Sequence, residues 1–332
     1  MTNSIRNGIH SPRRAAAWAC GLLTTLAAAA APLTPGDATL LPDTQGKFDF
    51  IRLDASANRL LLGHEGNKSF DVFDIATKKL LKVVPTSTSQ DATVDVKRGS
   101  YYVSGNDPGR LVIVDSATLA ITGEVPVPSD TDLIAFNPHT GLVHLSNDKA
   151  GEQWVIDPAA KKIVTTVKFI GTGVEDLVFD ADYQHLYQAV KGVNSIAVID
   201  PATYQVTALW PCAPDKGVHG IALVPESNGL LVACAGKLVL FDRTSGKITA
   251  TAPTGARVDE ITYDPGLHIA YCASRVGVIS ALAVAAGQLT PLDDVPDPTG
   301  TGDITVDPKT HVVWIAYEKD KQCFVQSYEP AK

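Results

Sequence analysis

An aspartate that closes a short apolar run recurs at Asp74, Asp115, Asp157, Asp200 and Asp242, at spacings of 41, 42, 43 and 42 residues. A period of that length marks a chain built from repeated supersecondary units, and it governs how every local pattern is read. The phrase around the aspartate is kept as well: "DVFDIAT" at 71–77, "LVIVDSAT" at 111–118 and "IAVIDPAT" at 196–203. Each period opens with a segment such as "DLIAFNP" (132–138), "DLVFDA" (176–181) or "EITYDP" (260–265) that ends in turn-forming residues. A second apolar run follows, as in "LLLGHE" (60–65), "YYVSGN" (101–106) and "LYQAVK" (186–191). The repeated phrase is the third run, and segments such as "KIVTTVKF" (162–169) are the fourth.

These runs are short, rich in Val, Ile, Tyr and Thr, and bounded by turn residues, so they read as strands. Four strands in about 42 residues make one blade of a β-propeller. The third run is continuously apolar because it is expected between neighbouring blades, buried on both faces. Its Asp and Thr then serve the tight turn into the outer strand. The expected fold is all-β: a seven-bladed propeller of four-stranded antiparallel blades, with blades starting near 49, 90, 132, 175, 219, 259 and 302. The sixth blade has lost the phrase ("ISALAVAAGQL", 279–289), and the seventh ends at "CFVQSYEP" (323–330) without a fourth strand. The segment "ATLLPD" (38–43) is expected to supply that strand from the N-terminal side, closing the ring and removing its open edge.

The first 31 residues stand apart. Arg6, Arg13 and Arg14 precede an apolar run, 15–31, ending in small residues, which is the layout of a secretory signal peptide. The Arg13-Arg14 pair has the twin-arginine form, although Ala replaces the residues that usually follow it. Export to the periplasm or medium is expected, with no stable membrane insertion after cleavage, and residues 32–332 forming a single propeller domain. Cleavage near Ala30 takes away three arginines and no acid, leaving 25 basic against 36 acidic residues, a net charge of −11. No run of Lys or Arg forms a phosphate-tracking stripe, so nucleic acid is excluded as a partner. Cys212, Cys234, Cys272 and Cys323 are far apart in sequence with no C-x-x-C pair, leaving open one bridge or four buried thiols. The single Met is the initiator, which excludes copper handling through thioethers.

The stretches "GKFDFI…LLLGHEGNKSFDVFDIATKK" in blade one, "VIDPAT" in blade four and "LLVACAGKLVLFDRTSGKI" in blade five resemble the YVTN-type seven-bladed β-propeller family, with its YncE-like extracytoplasmic members. The resemblance spans residues 46–328 and implies the fold and the export; the family carries no single chemistry. Blades six and seven depart from the pattern. The WD40 Gly-His and Trp-Asp pairs and the kelch Gly-Gly are absent.

In a propeller the first strand of each blade lines the channel and the second runs back antiparallel to it, so first-strand starts and second-strand ends share one face. That face collects Asp49, Asp91, Asp132, Glu175, Asp176, Asp259, Glu260 and Asp303 with His219, and adds His64, Asn106, Asn147 and Cys234 from second-strand ends. Lys47, Lys216 and Arg257 lie close enough in sequence to neutralise part of the ring. The acids fall at adjacent positions, so not all point inward, and some are expected to satisfy backbone N–H groups instead. His64, Asp132, Glu175, His219 and Asp259 are the candidate ligand-binding set. Glu175, Asp259 and His219 are the candidate ligands of a divalent cation, calcium or zinc.

His139, His144, His185, His268 and His311 are assigned to turns or solvent faces. No G-x-S-x-G elbow is present, and "GTGVED" (171–176) precedes no helix, so it is not a phosphate loop. Two functions fit. The first is a monomeric, exported binding or interaction propeller that holds an unidentified protein or small-molecule ligand at an acidic mouth. The alternative is a divalent-metal-dependent hydrolase or lactonase acting at the same mouth.

Overall fold

The computed structural model describes residues 1–2 and 32–331; the expected signal peptide lies outside them. Seven antiparallel sheets follow one another along the chain, each with a path of four strands. Their channel-side strands are Ile51–Asp54, Thr88–Asp95, Ile134–Asn137, Val174–Phe179, Ile221–Val224, Val258–Asp264 and Ile304–Val306. The sixth blade, where the phrase is lost, has a short outer strand, Gln288–Pro291, and an extra two-residue strand, Val295–Pro296, on its third strand. The described helices are two single 3₁₀ turns, Lys191–Val193 and Pro225–Ser227, and among the described residues no helix is long and apolar enough to cross a membrane.

Ring closure comes from the N-terminal side. Leu33–Leu41 runs antiparallel to Gln322–Pro330, from Leu33 opposite Pro330 to Leu41 opposite Cys323, as the outer strand of blade seven. The strand begins five residues earlier than the sequence pattern indicates and ends two earlier. The difference is physical: "PGD" (35–37) reads as a turn, yet here it forms a bulge where the register shifts between Pro35 and Ala38, and an edge strand tolerates the missing proline N–H. Only Leu33 and Leu41 at its ends are fully buried, as befits an outermost strand.

The repeated aspartate does local work. Asp74 Oδ1 accepts the Thr77 N–H and hydroxyl at 2.7 and 2.8 Å, and Asp115 Oδ1 accepts the same pair from Thr118 at 2.7 Å each. Asp200 accepts the Ala202 and Thr203 N–H groups, and Asp242 those of the Ser245 N–H and hydroxyl. These donors hold all four carboxyls below their usual range. The apolar residues before each aspartate are buried, as in Glu152–Asp157 and Lys237–Asp242, whereas an outer strand such as Gln205–Pro211 alternates between exposed and half-buried.

Seven apolar clusters fill the seven interfaces between neighbouring blades. The seam of blades seven and one, for example, packs Leu60, Leu62 and Phe73 against Trp314, Ala316 and Val325. Each leucine, valine or phenylalanine among them contributes about 1.5–3 kcal/mol on burial. Near the mouth, blades five and six approach more closely than a side chain at one position allows. At Gly220 an added Cβ would stand 2.5 Å from the Asp259 carbonyl of the next blade, to which the Gly220 N–H donates at 3.0 Å. A glycine is needed there, and it places His219 beside Asp259.

Candidate functional site

The acids at the strand starts divide into two layers because neighbouring residues on a strand face opposite ways. Asp91, Asp176 and Glu260, from blades two, four and six, form the deeper layer. Each carboxylate accepts the backbone N–H of the next blade, Asp91 from Ile134 at 3.2 Å, Asp176 from Ile221 at 2.9 Å and Glu260 from Ile304 at 2.8 Å, and Glu260 also accepts that of Ile51 in blade one at 3.3 Å. Arg52 of blade one joins all three, at 2.9 Å to both oxygens of Asp91, 3.2 Å to Asp176 and 3.3 Å to Glu260. Its guanidinium also lies 4.8 Å from the centre of the Phe50 ring. Burial opposes the charge on Arg52, but the three carboxylates outweigh it and hold its pKa well above the ordinary value. Burial pushes the Asp176 and Glu260 carboxyls up, and Arg52 pulls them down. This layer ties seven blades to one another across the axis; its acids are structural.

The outer layer is the mouth. First-strand starts pair with second-strand ends as the strand order requires: Asp49 N–H donates to Gly63, Asp132 N–H to Ser146 and His219 N–H to Ala233, at 2.8, 2.9 and 3.0 Å. His219 Nε2 stands between two carboxylates, 3.2 Å from Glu175 Oε2 and 3.1 Å from Asp259 Oδ1. Lys191 Nζ reaches the other Glu175 oxygen at 3.0 Å. Arg275 donates to Asp259 through Nε at 2.6 Å and through Nη2, and its Nη2 lies 4.0 Å from Asp49. Asp49, Asp259 and Asp303 each bring a carboxylate oxygen to within 4.8 Å of the others. Asp303 is 3% exposed, and its Oδ1 is buried without a hydrogen-bond partner.

Charge crowding shows in the protonation equilibria. Burial, then the Asp259 and Glu65 charges, pushes the Asp49 carboxyl well up. Burial and the Asp49 and Glu175 charges do the same to Asp132. Asp303 is also raised well above the carboxylate range by burial, with Arg275 opposing. Five carboxylates therefore share one opening with a guanidinium, an ammonium and an imidazole.

Of the five residues singled out in the sequence, Glu175, His219 and Asp259 meet directly, and Asp132 lies within electrostatic range of Glu175. His64 does not join them. It is fully buried, stacked on Phe48 at 3.9 Å, with Nδ1 2.7 Å from Asp71 and Nε2 3.1 Å from the Gly46 carbonyl. The side chain leaves the strand end sideways into the seam, a direction that strand order does not fix. Its Nε2 is also 3.5 Å from Cys323 Sγ, so Cys323, His64 and Asp71 have the connectivity of a catalytic triad. Burial pushes the Cys323 thiol up to about 11, the reverse of nucleophile activation, and all three residues are sealed. The cluster is structural.

Other second-strand ends also turn away. Asn106 bonds Thr131, Asn147 caps the Lys149–Ala150 turn, and Cys234 faces Cys212. His144, assigned to a turn or solvent face, is buried, and its Nδ1–H donates to the Gln153 Oε1 at 2.8 Å. Gln153 continues to Gln188 at 2.9 Å, and Gln188 Nε2 donates to the Glu175 and Asp176 carbonyls at 2.6 and 3.1 Å. This amide chain holds the strand that carries Glu175. The cations in direct contact with the mouth acids are Arg275 and Lys191; Lys47, paired with Glu65, acts on Asp49 and Asp303 through its charge alone, and of the three cations Arg275 and Lys191 were not foreseen. Both follow directly on second strands, Ile269–Ser274 and Leu186–Val190, so the strand-end rule applied to blades four and six finds them. Arg52 was signalled by a basic residue between two apolar ones in the first strand "IRLD".

No family model matches the chain, and no curated protein sequence matches it. Among solved structures, it is similar to a chain of hydrazine synthase from Kuenenia stuttgartiensis, with a TM-score of 0.72 and 14% identity over 92% of this chain and 98% of that one. It is similar also to a chain of the mitotic checkpoint complex, with a TM-score of 0.76 and 13% identity over 100% of this chain and 99% of that one. What is shared is the propeller. At such identities the likeness concerns fold alone, and function has to be argued from the mouth.

Proposed function

We propose that this protein is an exported, YVTN-type, YncE-like binding propeller, periplasmic or secreted, whose acidic mouth receives a cationic group of a protein or small-molecule ligand. The observation that carries this reading is the set of mouth carboxyls, Asp49, Asp132 and Asp303, raised by burial and mutual repulsion. Like charges crowded in a partly desolvated opening favour any ligand that brings compensating positive charge. Arg275 and Lys191 make their close contacts with Asp259 and Glu175 and compensate the other three only in part. Amines and guanidinium groups fit the remainder.

A second reading, a divalent-metal-dependent hydrolase or lactonase, draws on one further observation. Asp49, Asp259 and Asp303 can each offer an oxygen to one ion, and hard oxygen donors suit calcium. The candidate set thereby moves from Glu175, Asp259 and His219 to the three aspartates, with His219 beside Asp259 at 3.1 Å as the base for a bound water.

Thermal melting at constant ionic strength separates the two. The binding reading expects spermidine or a tri-lysine peptide to raise the parent's melting temperature, and an Asp49→Asn/Asp132→Asn variant to lose that rise. The control pair Asp74→Asn/Asp200→Asn, remote turn residues, should keep it. If only Ca²⁺ or Zn²⁺ raises the melting temperature after chelator treatment, and lactone hydrolysis appears with it, the second reading replaces the first. A parent unmoved by any of these probes sinks both.

A further inference from the structure

Two thiols lie against each other at the seam of blades four and five. Cys212 follows the outer strand of blade four, Gln205–Pro211, and Cys234 ends the second strand of blade five, Gly229–Cys234. Their sulfurs are 3.6 Å apart, and both side chains are buried. Around them pack Tyr187, Ile196, Val218 and Val232. The other two thiols are placed differently: Cys272 sits in the next seam, between blades five and six, and Cys323 faces His64.

We propose that Cys212 and Cys234 form a disulfide bond when the chain folds in an oxidising environment. A bonded pair requires about 2.05 Å between sulfurs, so each sulfur has less than about 1 Å to travel, within reach of a small χ1 rotation. The seam around the pair is apolar, and a disulfide, which carries no hydrogen-bond donor, suits it at least as well as two thiols. The reaction balances with a disulfide as oxidant, either a small molecule such as oxidised glutathione or a dithiol–disulfide oxidoreductase. Two S–H bonds are lost and one S–S bond forms; the oxidant takes both electrons and both protons and leaves as two thiols. Folded, the pair is closed to such reagents, and mutual hydrogen bonding and burial hold the Cys212 thiol protonated. The exchange therefore belongs to assembly, while the seam is still open.

The position gives the bond a purpose. Residues 213–218 run from Cys212 to His219, and their other anchors are few. The Ala235 N–H donates to the Lys216 carbonyl at 2.7 Å, Lys237 pairs with Asp215, and the Asn194 side chain donates to the Asp215 carbonyl. A bond at Cys212 fixes the start of the segment that delivers His219 to the mouth. It also staples blade four to blade five covalently, across a boundary otherwise held by packing, backbone bonds and non-covalent side-chain contacts such as Asp176–Ile221 and Glu175–His219.

The test uses the full chain, unfolded with reductant and refolded either with a reduced and oxidised glutathione mixture or with reductant alone. After free thiols are blocked under denaturing conditions, digestion and mass spectrometry should find the Cys212 and Cys234 peptides linked only in the first sample. That sample should melt about 3–10 °C higher, from the closed 22-residue separation. Cys212→Ala should lose both the link and the rise, and Cys272→Ala should keep both. Recovery of Cys212 and Cys234 as blocked free thiols after glutathione refolding overturns the proposal. So does a link from either of them to Cys272 or Cys323.

Discussion

Arg52 grips Asp91 through two parallel bonds, Nε to Oδ1 and Nη2 to Oδ2, each 2.9 Å long. The pair sits on the axis, where Asp176 and Glu260 also converge on the guanidinium. One cation thus compensates three carboxylates that in turn hold the N–H groups of the neighbouring blades. Removing it leaves buried charge without a partner, which costs about 3–5 kcal/mol. Arg52→Met should lower the urea midpoint accordingly. Arg52→Lys should recover only part of the loss, because an ammonium cannot make the two-point contact. A Met variant with an unchanged midpoint means that the carboxylates are held by the backbone alone.

Closure is the second point of vulnerability. Deleting residues up to Leu41 strips the outer strand from blade seven and exposes the edge of Gln322–Pro330. It also uncovers Tyr328 and Cys323, both fully buried in the intact ring. A loss of about 3 kcal/mol or more is expected, together with concentration-dependent association through the new edge. Light scattering and melting at two protein concentrations read both effects. A truncated chain as stable and as monodisperse as the parent shows that six intact blades and an open seventh suffice.

The blades were legible in the sequence because the repeat writes one phrase in five of them, and each aspartate in the phrase makes the turn it signals. The closing strand was legible as a need, from the missing fourth run after Cys323, but its start was hidden by "PGD", which bulges instead of turning. The mouth was legible as far as backbone periodicity reaches: alternation separates Asp91, Asp176 and Glu260 from Glu175, His219 and Asp259. Side-chain direction beyond the strand end was not. His64 and Asn147 occupy strand ends equivalent to those before Lys191 and Arg275, yet His64 turns into a seam and Asn147 caps the turn that follows it, whereas Lys191 and Arg275 reach the acids. Packing against Phe48 decides the case of His64, and no period in the sequence encodes that contact.

His144 makes stability fall in acid. Burial lowers its pKa to about 4 against a usual 6.5, with the Gln153 hydrogen bond opposing. The unfolded chain therefore takes up a proton on this imidazole as pH falls below 6.5, while the folded chain refuses it until about 4. The loss grows across that window to about 3 kcal/mol. His144→Gln keeps a donor for Gln153 and removes the titration. The difference in unfolding free energy between parent and variant should shift by that amount from pH 7 to pH 4. A difference independent of pH contradicts the assignment.

Asp297 acts in the opposite sense. It lies between blades six and seven, where Tyr328 donates to its Oδ1 at 3.2 Å and its Oδ2 is buried without a partner. Burial raises its carboxyl to about 7, against lowering contributions from Tyr328 and Thr301. The folded chain holds this proton up to about pH 7, and the unfolded chain releases it near 3.8. Its contribution to stability is therefore complete below about pH 4 and declines as pH rises to about 7, beyond which the buried charge is a constant penalty. Asp297→Asn carries no charge at any of these values and still accepts from Tyr328. Relative to the parent it should gain roughly 2–4 kcal/mol between pH 4 and pH 8, read from urea midpoints at both values. If the variant gains nothing over that range, Asp297 is ionised at neutral pH and a cation or water satisfies its second oxygen.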